Sequence, residues 1–288
     1  MNIADYPPQE PLSPIGAAYQ ARVMALGEGL RGIEAAYGPD PYQSLAVFPA
    51  ERPSGDVLLF LHGGGWTSGY KEWMSFMAPA FTALGVTFVT AGYRIAPQHV
   101  FPAGFDDAAD AFDWVVRHIA VHGGDARRVF VGGHSAGGHY AALLAVTSAW
   151  RTARGLEADI VRGALPVSGA YCFGDEGGLS MRPRFLGAAA DAESTAAPLH
   201  RLEAAVCPPM LLTHGERDFA HLIAQGERMA SALRAAGIAV QSEVLEGADH
   251  FDASVACGQA SSGWPARAVA WMQQVRSTSI KPTTGEPS

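Results

Sequence analysis

Cysteine is scarce in this chain, with three residues among 288, at Cys172, Cys207 and Cys257. Their odd number and wide spacing do not fit a disulfide framework or a zinc site, and they favour buried thiols in a reducing compartment. The first residues contain neither a basic region nor an apolar stretch, so we expect no signal peptide. These observations predict a cytoplasmic protein.

Long apolar runs and positive charge are lacking as well. No apolar run approaches the ~18 residues that a membrane-spanning helix needs, and the formal net charge is −8 with no basic run. We therefore expect neither a membrane nor a nucleic acid as a partner. Apolar residues make up 48% of the chain and charged residues 17%, a composition typical of a globular protein with a large core.

Patterns that bind metal ions or phosphate are also missing. The chain has no His-x-x-x-His pair beside an acid, no Cys/His cluster and no G-x-x-x-x-G-K-[ST] loop. We expect no metal and no organic cofactor. The oligomeric state stays open, with a homodimer among the states to test.

Apolar runs alternate with helical stretches along most of the chain. Predicted strands cover residues 45–48 (as an edge strand), 56–61, 86–92, 129–131, 160–167, 210–215 and 238–245. Predicted helices cover residues 15–37, 74–84, 106–121, 136–144, 221–236 and 264–275, the third of them with Asp106 and Asp107 at its amino end. This alternation predicts an α/β fold, with a mostly parallel, doubly wound sheet and helices on both faces.

We expect one catalytic domain over residues 46–280, flanked by a frayed tail at 281–288. Residues 1–45 are predicted to form either a surface helix or a flap over an active site. The long irregular segment 169–207 is either a lid or pocket insertion or a plain surface loop. The sequence leaves both choices open.

The strongest motif is Gly133-His-Ser-Ala-Gly137, a G-x-S-x-G pattern that follows an apolar strand and precedes a helix of small residues. In that setting the pattern predicts a sharp strand-to-helix turn that lifts the Ser135 hydroxyl above the sheet. Gly133 and Gly137 allow the helix to pack closely on the strand. Ser135 is therefore the candidate nucleophile.

A serine hydroxyl needs a base to take its proton, and that base needs a third group to orient it. In α/β architectures the order along the chain is Ser, acid, His, each at the carboxyl end of a strand. Asp218 follows the strand at 210–215, and His250 follows the strand at 238–245. Glu216 competes for the role of the acid, as do Asp249 and Asp252 beside the histidine. The other nine histidines are interpreted as structural.

Attack on a carbonyl creates an oxyanion that backbone N–H groups can stabilise. The segment His62-Gly-Gly-Gly-Trp66 lies at the carboxyl end of a buried strand, where ligands of open α/β sheets bind. Gly64 and Gly65 in this segment, together with Ala136 just after the nucleophile, are the predicted donors.

These motifs resemble the α/β-hydrolase superfamily, in particular carboxylesterases of the hormone-sensitive-lipase-like type. The matching residues are His62-Gly-Gly-Gly-Trp66, Tyr93-Arg-Ile-Ala-Pro97, Phe101-Pro102, Asp106-Asp107 and Gly133-His-Ser-Ala-Gly-Gly138. A second, narrower resemblance is to arylformamidases, which hydrolyse N-formyl-L-kynurenine with the same triad. Residues 75–81, Gln225 and Asp249-His-Phe-Asp252 carry it together with the two glycine motifs.

The expected reaction is hydrolysis of a small carboxylic ester, or alternatively of an aryl formamide, through an acyl-Ser135 intermediate. Because the base must be neutral, kcat/KM is expected to rise with pH through about 6–7. Trp66, Tyr70 and Phe251 are the predicted substrate contacts, and Arg182 and Arg184 are either contacts for a substrate carboxylate or ordinary surface charge. The hypothesis from another class is a small-molecule binding protein without catalysis.

Overall fold

The computed structural model describes residues 3–174, 184–189 and 191–278. Eight strands in these residues form one sheet, and in chain order they are β1 (Ile33–Ala36), β2 (Ser44–Phe48), β3 (Gly55–Leu61), β4 (Thr87–Ala91), β5 (Gly124–His134), β6 (Val161–Val167), β7 (Met210–Arg217) and β8 (Val240–Asp249). Their spatial order is β1-β2-β4-β3-β5-β6-β7-β8. The β1–β2 and β2–β4 pairs are antiparallel, and the other pairs are parallel. The predicted α/β fold with a mostly parallel sheet is confirmed.

Helices cover both faces of the sheet. In chain order they are α1 (Pro14–Leu26), α2 (Ala78–Thr82), α3 (Ala103–His118), α4 (Ala136–Val146), α5 (Ala149–Ala153), α6 (Ala192–Ala196), α7 (Ala220–Ala235), α8 (His250–Gly258) and α9 (Trp264–Thr278). Short 3-10 helices lie at Ile3–Asp5, Lys71–Met77, Ile119–His122, Pro198–His200 and Ala260–Ser262. None of the helices in the described ranges is both long enough and apolar enough to cross a membrane.

The core has two layers because strand β3 buries both of its faces. Val57, Leu59 and Leu61 enter one apolar cluster, which includes side chains of α3, α4 and α7. Leu58 and Phe60 point to the opposite face and enter a second cluster with α1, α2, α8 and α9. This alternation explains why β3 reads as a continuous apolar run rather than as alternating polar and apolar residues.

Helix α4 lies at the centre of the molecule, and all of its eleven residues are buried. It contacts β3, β5 and β6. Small side chains allow this close approach, because the helix axis can lie near the sheet only where no large side chain separates them. The nucleophile candidate therefore precedes one of the most enclosed elements of the fold.

Two predictions at the amino-terminal end are wrong. The helix expected over 15–37 ends at Leu26, and residues 33–36 form β1 instead, because β1 gains backbone hydrogen bonds from β2. Strand β2 is therefore not an edge strand, because it lies between β1 and β4. The sheet extends one strand further than the sequence indicated.

Other boundaries are shifted. The helix expected over 74–84 begins as a 3-10 helix at Lys71 and continues as α2, and α5 and α8 were not predicted. Within 169–207 the described parts contain α6 and a 3-10 turn, while Phe185 and Leu186 are buried. The tail at 281–288 and Arg182 lie outside the described residues.

Candidate active site

Ser135 occupies a sharp turn between β5 and α4. Its φ of 54° lies in the left-handed region, which a residue with a side chain adopts only under constraint. The turn requires glycine on both sides: a Cβ on Gly133 would lie 2.3 Å from the backbone of Gly137. A Cβ on Gly137 would lie 2.2 Å from the carbonyl oxygen of Leu61. The constrained turn presents the Ser135 hydroxyl at the carboxyl edge of the sheet.

His250 lies beside this hydroxyl as the first residue of α8. Its Nε2 is 3.0 Å from Ser135 Oγ, and its Nδ1 is 2.8 Å from Asp218 Oδ1. A neutral His250 that donates Nδ1–H to the carboxylate leaves Nε2 free to accept the serine proton. The carboxylate of Asp249 instead caps α8, accepting the N–H groups of Phe251 and Asp252 at 2.9 and 2.8 Å, and so does not orient the ring.

Asp218 is buried, and several donors surround its carboxylate. The Phe219 N–H donates to Oδ1 at 2.7 Å, and the Ser168 hydroxyl donates to Oδ2 at 2.5 Å. Burial alone would raise the pKa of Asp218, but the hydrogen bond and charge of His250 and the two other donors hold that pKa well below its usual range. The competing acid, Glu216, accepts the Gly247 N–H at 2.8 Å and takes no part in this arrangement.

In the glycine segment, the carbonyl groups of Gly63 and Gly64 both accept hydrogen bonds within the protein. His62 Nδ1–H donates to the Gly63 carbonyl at 2.7 Å. The Gly64 carbonyl accepts both the N–H and the hydroxyl of Ser68, at 3.0 and 2.8 Å. Because N–H and C=O point in opposite directions across a trans peptide, the N–H groups of Gly64 and Gly65 point away from these partners. Both glycines line the cavity in front of Ser135.

Ala136 is the first residue of α4, directly after Ser135. The N–H groups in the first turn of a helix have no carbonyl partner within the helix. The Ala136 N–H is therefore available to a developing oxyanion on a carbonyl attacked by Ser135. The three predicted donors thus lie on two elements that meet at the candidate nucleophile.

A cavity of about 400 Å³ opens in front of Ser135. Aromatic side chains form much of its wall, and they are Tyr19, Trp73, Phe219 and Phe251. The amino-terminal segment contributes Leu12, Ser13 and Gly16. Arg184 also lines the cavity and forms an ion pair with Glu10 of that segment.

Two predicted substrate contacts need correction. Trp66 does not line this cavity: its ring is buried, stacks on Phe185 at 4.4 Å between centroids, and donates its indole N–H to His139. Tyr70 packs against Tyr6 in the amino-terminal cluster. Neither ring lines the cavity in front of Ser135, whereas Phe251 does.

Three residues of the site were not predicted, and a fourth, His134, was predicted only to be structural. Tyr19 lines the cavity and shares a buried hydrogen bond of 2.7 Å with Ser254 on α8. The ring of Phe219 lies 4.7 Å from that of His250. Ser168 contacts Asp218, and only its position just after a strand could have indicated this. His134 donates Nε2–H to the backbone carbonyl of His250 at 2.9 Å.

Three histidines around the site are buried and neutral. Burial lowers the pKa of His62 and of His139 to about 4 and that of His134 to about 3, where the charge of His250 adds to the effect. Each ring donates one hydrogen bond to a backbone carbonyl, so each has a fixed tautomer. Their roles in the described structure are structural, as the sequence suggested.

A larger cavity, of about 490 Å³, lies behind α1 and away from Ser135. The Lys71 ammonium group at its wall is already paired with Glu34 at 3.1 Å and Glu72 at 2.5 Å. No cluster of metal-ligating side chains occurs in the parts of the chain that the structure describes.

Comparison with known proteins identifies the fold family. A family model described as the alpha/beta hydrolase fold matches residues 58–252. This chain belongs to that family. The match includes all of the glycine segment, Ser135, Asp218 and His250.

Curated relatives of this alpha/beta hydrolase are esterases. A probable isoprenylcysteine alpha-carbonyl methylesterase from Oryza sativa is 27% identical over 240 residues, which cover 75% of this chain and 57% of the relative. An ethyl acetate hydrolase from Pseudomonas putida is 32% identical over 224 residues, which cover 70% and 68%. This chain thus spans little more than half the length of the rice protein.

Solved structures of other proteins share this fold. An esterase from the archaeon Pyrobaculum calidifontis superposes with a TM-score of 0.73 and 21% identity, covering 93% of each chain. At this level of identity the likeness concerns the backbone. The names of these relatives and of this neighbour all describe ester hydrolases, which is what this chain is similar to.

Proposed function

We propose that this protein is a carboxylesterase that cleaves small esters through an acyl-Ser135 intermediate. The observation that carries the proposal is the continuous hydrogen-bonded line from Ser135 Oγ to His250 Nε2, at 3.0 Å, and from His250 Nδ1 to Asp218 Oδ1, at 2.8 Å. Both distances are those of formed hydrogen bonds.

In the first half of the reaction, Ser135 Oγ attacks the ester carbonyl while its proton passes to His250 Nε2. The tetrahedral oxyanion accepts the N–H groups of Gly64, Gly65 and Ala136, and one such donor contributes roughly 3 kcal/mol of barrier lowering. His250 then gives the proton to the leaving alcohol. The acyl group stays on Ser135.

In the second half, His250 takes a proton from a water molecule that attacks the acyl carbonyl. Collapse of the second tetrahedral species restores the Ser135 hydroxyl and releases a carboxylic acid. Asp218 stays ionised throughout and stabilises the His250 cation, which agrees with the direction of its pKa.

Three observations support small esters as substrates. The cavity of about 400 Å³ is at the lower end of the range for small-molecule sites. The Pseudomonas putida relative is named an ethyl acetate hydrolase. The hormone-sensitive-lipase-like character of the two glycine motifs supports the same assignment.

An aryl formamide is the second candidate substrate. The aromatic wall formed by Tyr19, Trp73 and Phe251 favours it, because aromatic rings pack well on one another. Attack on a formyl carbon uses the same line of residues. Only the leaving group changes, from an alcohol to an aromatic amine.

Labelling with a fluorophosphonate probe tests the mechanism. We expect a single adduct on Ser135, located by mass spectrometry, and no adduct in Ser135→Ala. Rates on short p-nitrophenyl esters and on N-formyl-kynurenine then rank the two substrates. Labelling at another residue, or equal ester turnover by Ser135→Ala, would contradict the proposed mechanism. Absence of both label and turnover in the wild type would favour the binding-protein hypothesis.

A further inference from the structure

Ser168 has a backbone conformation that is unusual for a residue with a side chain. It directly follows β6, is 2% exposed and has a φ of 51°. This left-handed conformation is costly for serine, while glycine adopts it freely. A strained serine at such a position implies that its side chain makes a contact that glycine would not provide.

That contact is with Asp218. The Ser168 hydroxyl donates to Oδ2 at 2.5 Å, while Oδ1 accepts His250 Nδ1–H and the Phe219 N–H. The Gly215 N–H also donates to Oδ2, at 3.4 Å, so the carboxylate is held at both oxygens and Ser168 makes the shorter contact to Oδ2. With Ser168 in place, a rotation of the carboxylate that would turn Oδ1 away from His250 breaks a charge-assisted hydrogen bond.

The end of β6 also supports the nucleophile. The Ser135 N–H donates to the Val167 carbonyl at 2.9 Å, and the Ser168 N–H donates to the Thr213 carbonyl at 2.8 Å. Two successive residues thus connect the turn at Ser135 with strand β7, which leads to Asp218. The fixed backbone of β6 gives the Ser168 hydroxyl a defined direction.

We propose that Ser168 is a positioning residue that fixes the Asp218 carboxylate in the orientation His250 requires. The inference rests on the proposed function, since it concerns the same proton-transfer line. Ser168 does not touch the reacting atoms. Its effect passes through Asp218 to the imidazole.

The experiment compares Ser168→Gly, Ser168→Ala and the control Ser242→Ala. Glycine removes the hydroxyl and relieves the strain, whereas alanine removes the hydroxyl and keeps the strain. Ser242 on β8 lines the same small cavity of about 40 Å³ as Ser168 but is exposed, so its variant removes a hydroxyl of that cavity that does not hold Asp218.

We expect both Ser168 variants to lose about 10- to 100-fold in kcat with little change in KM, the range for one hydrogen bond to a charged group. Ser168→Gly should be more stable than Ser168→Ala, which keeps the strain, and Ser242→Ala should keep the wild-type kcat. In a purely structural role, relief of strain would restore activity. Wild-type kcat in Ser168→Gly therefore overturns the proposal.

A second measurement does not depend on turnover. The far-downfield proton NMR resonance of His250 Nδ1–H reports the hydrogen bond to Asp218. We expect it to shift or broaden in Ser168→Gly and to stay unchanged in Ser242→Ala. If the wild type hydrolyses no ester, this comparison still decides the role of Ser168, and an unchanged resonance in Ser168→Gly overturns it.

Discussion

The indole N–H of Trp66 donates to Nδ1 of His139 at 3.1 Å, and this contact joins the glycine segment to helix α4. His139 in turn donates Nε2–H to the Ala196 carbonyl at 2.7 Å. Both ring nitrogens of His139 are thus occupied in the neutral form. The two halves of the proposed oxyanion site are connected through one pair of side chains.

Trp66→Phe tests this connection. Phenylalanine keeps a ring against Phe185 but leaves His139 Nδ1 buried without its donor, which costs about 1–3 kcal/mol of unfolding free energy. The pKa of His139, which is about 4, should rise because the neutral form loses a hydrogen bond. Urea unfolding and an NMR titration measure the two effects. Trp114→Phe on α3 is the control, and an equal loss of stability in both variants would contradict the connection.

Gly137→Ala should be among the most damaging single-atom additions in the chain. Its Cβ would lie 2.2 Å from the Leu61 carbonyl oxygen and 2.5 Å from that of His62, so β3 or α4 must shift. We expect a loss of roughly 3 kcal/mol or more and loss of esterase activity. Gly226→Ala on α7 is the matched control, since its nearest neighbour is 4.0 Å away. That variant should gain up to about 1 kcal/mol, and a similar loss in both would contradict the packing argument.

Asp107 anchors the loop that follows β4. Its carboxylate is fully buried and accepts Arg94 Nε and Nη2 at 2.8 and 2.7 Å, with Gln43 Nε2 at 2.8 Å. Asp107→Asn should cost about 3 kcal/mol because the guanidinium group loses its charged partner. Asp113→Asn on the same helix breaks only the exposed pair with Arg117, so its unfolding free energy should stay close to that of the wild type. Denaturant unfolding of the two variants should differ accordingly, and equal values would refute this role of Asp107.

Acid should destabilise the protein below about pH 6.5 through its buried histidines. His62, His134 and His139 have lowered pKa values in the folded chain, so the unfolded chain binds more protons as the pH falls. The stability they contribute is present above pH 6.5 and is lost toward pH 4, by up to about 1.4 kcal/mol per pH unit for each ring. Urea unfolding at pH 7, 6 and 5 measures the slope. His134→Gln should reduce it by about one third, and an unchanged slope would argue against a neutral His134.

The sequence anticipated the parts of the site that local patterns encode. The turn at Ser135 follows from glycine spacing between an apolar strand and a helix, and the parallel sheet follows from alternating elements. Ser135, Asp218 and His250 lie at strand ends, and parallel topology brings such ends to one edge. Their proximity therefore needed no knowledge of side-chain packing.

Contacts that depend on an edge strand's neighbour or on side-chain packing could not be predicted from the sequence. Nothing in the local pattern of residues 33–36 shows that they pair with β2, because a strand at an edge depends on its neighbour for hydrogen bonds. Trp66 looked like a substrate contact because it follows the glycine segment. Its φ of 63° turns the ring toward His139 instead, and this direction is a product of the folded loop.

The hydrogen bond between Tyr19 and Ser254 limits how far the chain can be shortened from its amino-terminal end. The match to the family model begins only at residue 58. A variant that begins at residue 58 would lack α1, β1 and β2. Phe251 would lose its contact with the Tyr19 ring, and helix α8, which begins at His250, would lose the hydrogen bond from Tyr19 to Ser254. The segment matched by the family model is therefore shorter than the segment that encloses the candidate site.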